Sequence, residues 1–83
     1  PPAADFKFFI TTLAIQASIF MGVMANPATN LKEENFPQAK FVIDTLDMLK
    51  EKTKNNLSKE EEDLLENVLY ELKMQYVEKT KVK

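Results

Sequence analysis

Phe8 to Met24 reads FFITTLAIQASIFMGVM, and this stretch decides the fold. It lies within twenty-four consecutive residues, between Lys7 and Lys32, that carry no charge. At 3.6 residues per turn its apolar side chains cover almost the whole circumference of a helix. Such a helix must be buried on more than one side. Phe6, Ile10, Leu13, Ala17, Phe20 and Met24 recur at alternating spacings of four and three, the seam of a heptad repeat, and are expected to lie against the rest of the chain. Phe8, Ile15, Ile19 and Val23 fall on roughly the opposite side. Two further helices with one strong stripe each cannot cover both, so the second stripe points outward, to a partner subunit or to a lipid bilayer.

Between the two stripes runs a line of small residues, Thr11, Ala14, Ser18 and Gly22, which lets another backbone approach closely. Read as a helix-pairing surface, it joins Ile15, Ile19 and Gln16 in a self-association face; ordinary packing against a bulky neighbour explains the same line. An amide buried alone costs a few kcal/mol. Gln16 should therefore find a backbone partner, pair with its own copy across a symmetry axis and set register, or lie at a rim in contact with water.

Asn26-Pro27 ends the first helix, because the residue before proline is pushed out of helical geometry, and the polar stretch to Asn35 connects onward. Asn35, Pro37 and Gln38 open a second helix in capping-box fashion. Ala39, Val42, Ile43, Leu46 and Leu49 form its buried stripe, and Asn55-Asn56 closes it. Ser58-Lys59-Glu60-Glu61 opens a third, continued on one face by Leu65, Val68, Leu69, Leu72 and Tyr76. The spacing thus predicts helices over about 5–25, 36–54 and 58–79 in one all-α domain, 1–83. The expected architecture is a three-helix antiparallel hairpin series with the first helix central, completed as a helical bundle by dimerisation or a higher homo-oligomer. Tyr70, Met74 and Val77 make a second apolar line on the third helix, away from its leucine stripe. Joined by Met48, they are a candidate surface for another protein or an ordinary scatter of exposed apolar groups.

Composition narrows the function classes. The chain has 83 residues, no cysteine and no histidine, and its eleven basic residues, all lysine, face 13 acids for a formal charge of -2. A domain of this size buries only about 60% of the surface its unfolded chain exposes, so a partner would add materially to its core. Without arginine the planar fork for phosphate or guanine is missing, and without a net positive field nucleic acid is not an expected partner. The usual general base and activated thiol are both lacking, Ser18 sits in the apolar helix and Ser58 is a cap, so no catalytic residue is assigned and no enzyme is expected. One glycine, Gly22, builds no phosphate-cradling loop, and no cofactor is expected. Glu60 to Asp63 are successive residues that point in different directions and suit the positive pole of a helix better than a metal ion. Glu-Lys-Thr-Lys at 51–54 and again at 78–81 is explained in the same way, by the negative pole of two helix ends.

Lys7 followed by an apolar run ending in Val23-Met24-Ala25 resembles a secretory signal, but Thr11, Thr12, Gln16 and Ser18 interrupt the run. Insertion of the first helix into a membrane is the stronger alternative: seventeen residues rise roughly 26 Å, at the short limit for a hydrocarbon core of about 30 Å. A cysteine-free chain without a clear signal is expected in the cytoplasm.

Over roughly Asp5 to Val77 the chain resembles a small bacterial family catalogued as a domain of unknown function, number eighteen forty-four. The resemblance is carried by Gln16-Ala17, Met21-Gly22 and Asn26-Pro27, and most specifically by Ala39 to Leu49 and Lys52 to Leu72, including Asn56-Leu57, Glu60-Glu61 and Leu69-Tyr70-Glu71-Leu72. Asn55 stands where the family pattern has glycine, and Lys73 where it has arginine. The resemblance implies a small bacterial all-helical protein and transfers no catalytic residue.

Overall fold

A computed structural model describes residues 4–81; the outermost residues of the 1–83 domain assignment, 1–3, 82 and 83, lie outside the described part. Three helices make up the fold, α1 Phe6–Phe20, α2 Phe36–Lys52 and α3 Lys59–Thr80, and the described residues form no strand beyond two isolated bridges. Each helix packs against both of the others. α1 is therefore one corner of a triangle and is not central between two neighbours as the sequence suggested. The leucine-rich stripes of α2 and α3 and the inward stripe of α1 are best buried around a shared axis.

The stripes meet on that axis. Ile10 and Ala17 of α1, Ala39, Val42, Ile43 and Leu46 of α2, and Leu65, Leu69 and Leu72 of α3 are buried together with Met21. Phe6, Leu13 and Phe20 pack on the rim of this core, as do Phe36 and Tyr76, whose rings meet edge to face at 6.1 Å. Burial of each large side chain contributes roughly 1.5–3 kcal/mol.

Local chemistry fixes the helix ends. The Asp5 carboxylate accepts from the Phe8 amide, and the Asn35 side chain from the Gln38 amide. Ser58 and Glu61 exchange both bonds of a capping box at α3. α1 ends about five residues earlier than its apolar run predicts. Gly22 adopts φ +77°, its amide donates to the Ile19 carbonyl, and the Val23 amide reaches back to the Ser18 carbonyl at 3.0 Å. This is a Schellman termination with glycine at its left-handed position. Gly22 is thus a helix stop and not part of a helical line of small residues. Asn26-Pro27, expected as the terminator, instead starts a turn inside the connection: the Asn26 amide donates to the Leu31 carbonyl, and its side chain accepts from the Ala28 amide. The connection folds back so that the Asn35 amide donates to the Phe20 carbonyl at 2.6 Å. Met24 is consequently exposed and Met21 takes the core place expected for it.

Ion pairs tie the helix surfaces together. Lys7 of α1 meets Glu60 of α3 at 3.3 Å, Lys73 of α3 meets Asp47 of α2 at 3.0 Å, and Lys79 lies 3.9 Å from Glu34 in the connection. All are exposed, so each contributes at most about 1 kcal/mol.

Candidate functional site: two uncovered apolar surfaces

The first surface is the outer face of α1. Phe8 is 52% exposed and Ile15 44%, Phe9 is exposed beside them, and Ile19 is half-buried. Gln16 lies in this group and is also exposed, so its amide meets no requirement for a buried partner. The Thr12 hydroxyl donates to the Phe8 carbonyl at 2.9 Å and that of Thr11 to Lys7 in the same way. Backbone bonding of this kind satisfies the hydroxyls within the helix. No ionisable group lies between Phe8 and Phe20, which gives this face no charge of its own.

The line of small residues serves a different purpose from the one the sequence suggested. Ala14 and Ser18 are half-buried and line a groove between α1 and α3, facing Val68 and Leu72 of the same chain. Their small size lets α3 come close. Thr11 is exposed, and Gly22 has left the helix. Thr11, Ala14, Ser18 and Gly22 therefore do not form one continuous seam. Ile15 and Ile19 belong to the bulky outer stripe.

The second surface belongs to α3 and the end of α1. Tyr70, Met74 and Val77 are exposed and adjoin one another on α3. Val23, carried by the Schellman turn away from the outer stripe of α1, lines a groove with Met74 and Gln75. Met48 does not share their element face: with Phe41, seven residues earlier, it occupies the side of α2 opposite Ala39, Val42 and Leu46. Phe41 is exposed and lies outside the expected stripes; its spacing from Met48 was the available signal. Gln75 Oε1 is buried without a hydrogen-bond partner at the groove.

The shifted groups, Lys40 and Lys59, are held above their ordinary value of 10.5, each first by a hydrogen bond and then by the charge of the aspartate one turn on, Asp44 and Asp63. Among the described residues no three acidic, histidine or cysteine side chains gather as a metal site, and no helix is long and apolar enough to cross a membrane. α1 holds 15 residues, which rise only about 22 Å.

A family model described as a domain of unknown function (DUF1844) matches residues 3–78. No curated protein and no solved structure matches the chain.

Proposed function

The chain belongs to the DUF1844 family, and from that premise we propose that it is a small bacterial, cytoplasmic, non-catalytic interaction protein that self-associates through the outer face of α1. The observation that carries the reading is the uncharged face itself: Phe8, Phe9, Ile15 and the edge of Ile19 stand uncovered on a helix whose opposite side already fills the core. Phe8, Phe9 and Ile15 each leave roughly half of their surface uncovered, and the largest apolar patch on an ordinary monomer is about 300–600 Å². A standard interface buries about 800 Å² per partner, so the flanking residues of the helix must contribute as much again and the expected dimer is a weak one. A second copy is the simplest complement, because an uncharged strip presents no ion that a different sequence must match. Packing α1 against its symmetry mate would bury both strips and place Gln16 beside its counterpart, where two amides can satisfy each other.

In this reading the helices run up, down and up, which the ion pairs Lys7–Glu60 near the starts of α1 and α3 and Lys79–Glu34 near the end of α3 support. The absence of histidine, cysteine and arginine from the sequence supports a role without catalysis, cofactor or nucleic acid. A role in which α1 inserts into a bilayer is disfavoured by its length and by the burial of Ile10 and Ala17 against α2 and α3.

The cysteine-free sequence offers a direct test. Thr12→Cys introduces one thiol at the middle of the outer face, and Thr45→Cys places one on α2 between Phe41 and Met48. Under mild oxidation at micromolar protein, Thr12→Cys is expected to form covalent dimers readily and Thr45→Cys to stay monomeric. Equal, slow cross-linking of both would refute the assignment of the face.

A further inference from the structure

We infer that α1 lengthens by one turn, through Met24, when two copies pair, so that helix extension and self-association form one equilibrium; this rests on the self-association proposed above. The apolar period of α1 runs on past the end of its helix. Val23 stands four residues after Ile19 and eight after Ile15, in register with the outer stripe, and Met24 stands seven after Ala17, in register with the inward one. The Schellman turn holds both off the helix, with Val23 37% and Met24 42% exposed.

Gly22 is the residue at which both courses are open. Its φ of +77° serves the stop, and with no Cβ it enters a right-handed helix as readily. The exchange keeps nearly every backbone bond. In the stop the Gly22 amide donates to the Ile19 carbonyl at 3.0 Å, and the Val23 and Met24 amides both turn to Ser18, at 3.0 and 3.4 Å. In a continued helix the same three amides donate to Ser18, Ile19 and Phe20. The Asn35 amide, which reaches the Phe20 carbonyl at 2.6 Å, gives up that partner, and Asn35 is exposed to water.

Room for the added turn lies beside α3. α1 and α3 begin near the Lys7–Glu60 pair, and α3 has 22 residues against 15 for α1. It therefore runs about 10 Å beyond the end of α1. In the single chain this space holds Val23, in its groove with Met74 and Gln75, and the connection, tied there by Lys79 and Glu34 at 3.9 Å, an exposed pair that contributes little. A lone chain gains nothing by extension, because Val23 would leave that groove for water. With a partner copy on the outer face, Val23 joins Phe8, Ile15 and Ile19 in a strip about four turns long, and a face that is short of a standard interface gains length. The partner binds the extended state better and shifts the population toward it.

NMR Cα chemical shifts of Val23 and Met24 test the coupling, read on the full chain below and above its dimerisation midpoint and on Ile15→Lys. Non-helical shifts in the dilute chain and in Ile15→Lys, turning helical as the dimer accumulates, are expected. Val23→Ser should weaken dimerisation about threefold to tenfold, although residue 23 lies off the outer face in the single chain. Gly22→Ala, which closes the left-handed course and favours the helix, should tighten it at least about fivefold. Should Gly22→Ala disturb the fold, Val23→Ser, at a partly exposed position, decides the matter. A dimer in which both shifts stay non-helical, and which Val23→Ser leaves as tight as the parent, would overturn the inference and leave self-association standing. A chain that is monomeric at every concentration would overturn both, and helical shifts already present in the dilute monomer would remove the coupling.

Discussion

Gly22 concentrates more of the fold than any other single residue. Its φ of +77° is left-handed, and a Cβ there would stand 2.9 Å from Cγ of Glu34. Gly22→Ala should lower stability by about 1–2 kcal/mol from the backbone alone. Adding Glu34→Ala relieves the contact but not the dihedral, so urea midpoints should recover only in part. Asn55 holds the same kind of position at φ 69° after α2. Asn55→Gly is expected to leave stability equal or raise it by a few tenths of a kcal/mol, and Asn55→Ala to lower it by about 1 kcal/mol. The left-handed tolerance of Asn55 was legible from the sequence. The stop at Gly22 was signalled by the chain's only glycine, but the apolar run continues through Met24 and hid it, because hydrophobic spacing does not report a dihedral. The Lys40–Asp44 pair contributes in one pH window: the raised lysine favours the folded state below its unfolded value of 10.5 and that contribution fades as pH climbs through the folded value. A thermal scan of Asp44→Asn against the parent should show a difference in pH dependence in that alkaline range.

At the scale of elements, α2 and α3 are the readily legible pair, since each has one stripe and paired capping signals. α2 runs Phe36–Lys52 and α3 Lys59–Thr80, within two residues of the spans expected from pattern and caps. Leu46→Ala, at a fully buried position where all three helices converge, should cost about 2–5 kcal/mol, while Phe41→Ser on the outer side of α2 should change stability by less than about 0.5 kcal/mol. Ser58→Ala removes one arm of the capping box and should cost about 1 kcal/mol. α1 was harder to read because two apolar stripes share one helix. The inward stripe, with Ile10 and Ala17 at its centre, followed from heptad spacing. Which residues face α3 did not: Ala14 and Ser18 look like a seam for any close-packed helix, and only the placement of Val68 and Leu72 opposite them assigns the line to this chain's own packing.

At the scale of the whole molecule, one chain of 83 residues completes a small core and leaves the uncharged outer face of α1 uncovered. The proposed self-association would bury the remainder, and the outer stripe would give it a defined location. Hydrophobic burial gives an interface of this kind a weak dependence on salt. Sedimentation equilibrium of the parent chain and of Ile15→Lys, without detergent and across a hundredfold range of concentration, tests self-association through α1 most directly. Ile15 is 44% exposed, so lysine there is compatible with the folded monomer. A concentration-dependent dimer for the parent, reduced to monomer in a variant with the same helical circular dichroism, is the predicted result. A parent that stays monomeric throughout, or a variant that dimerises equally well, would contradict it.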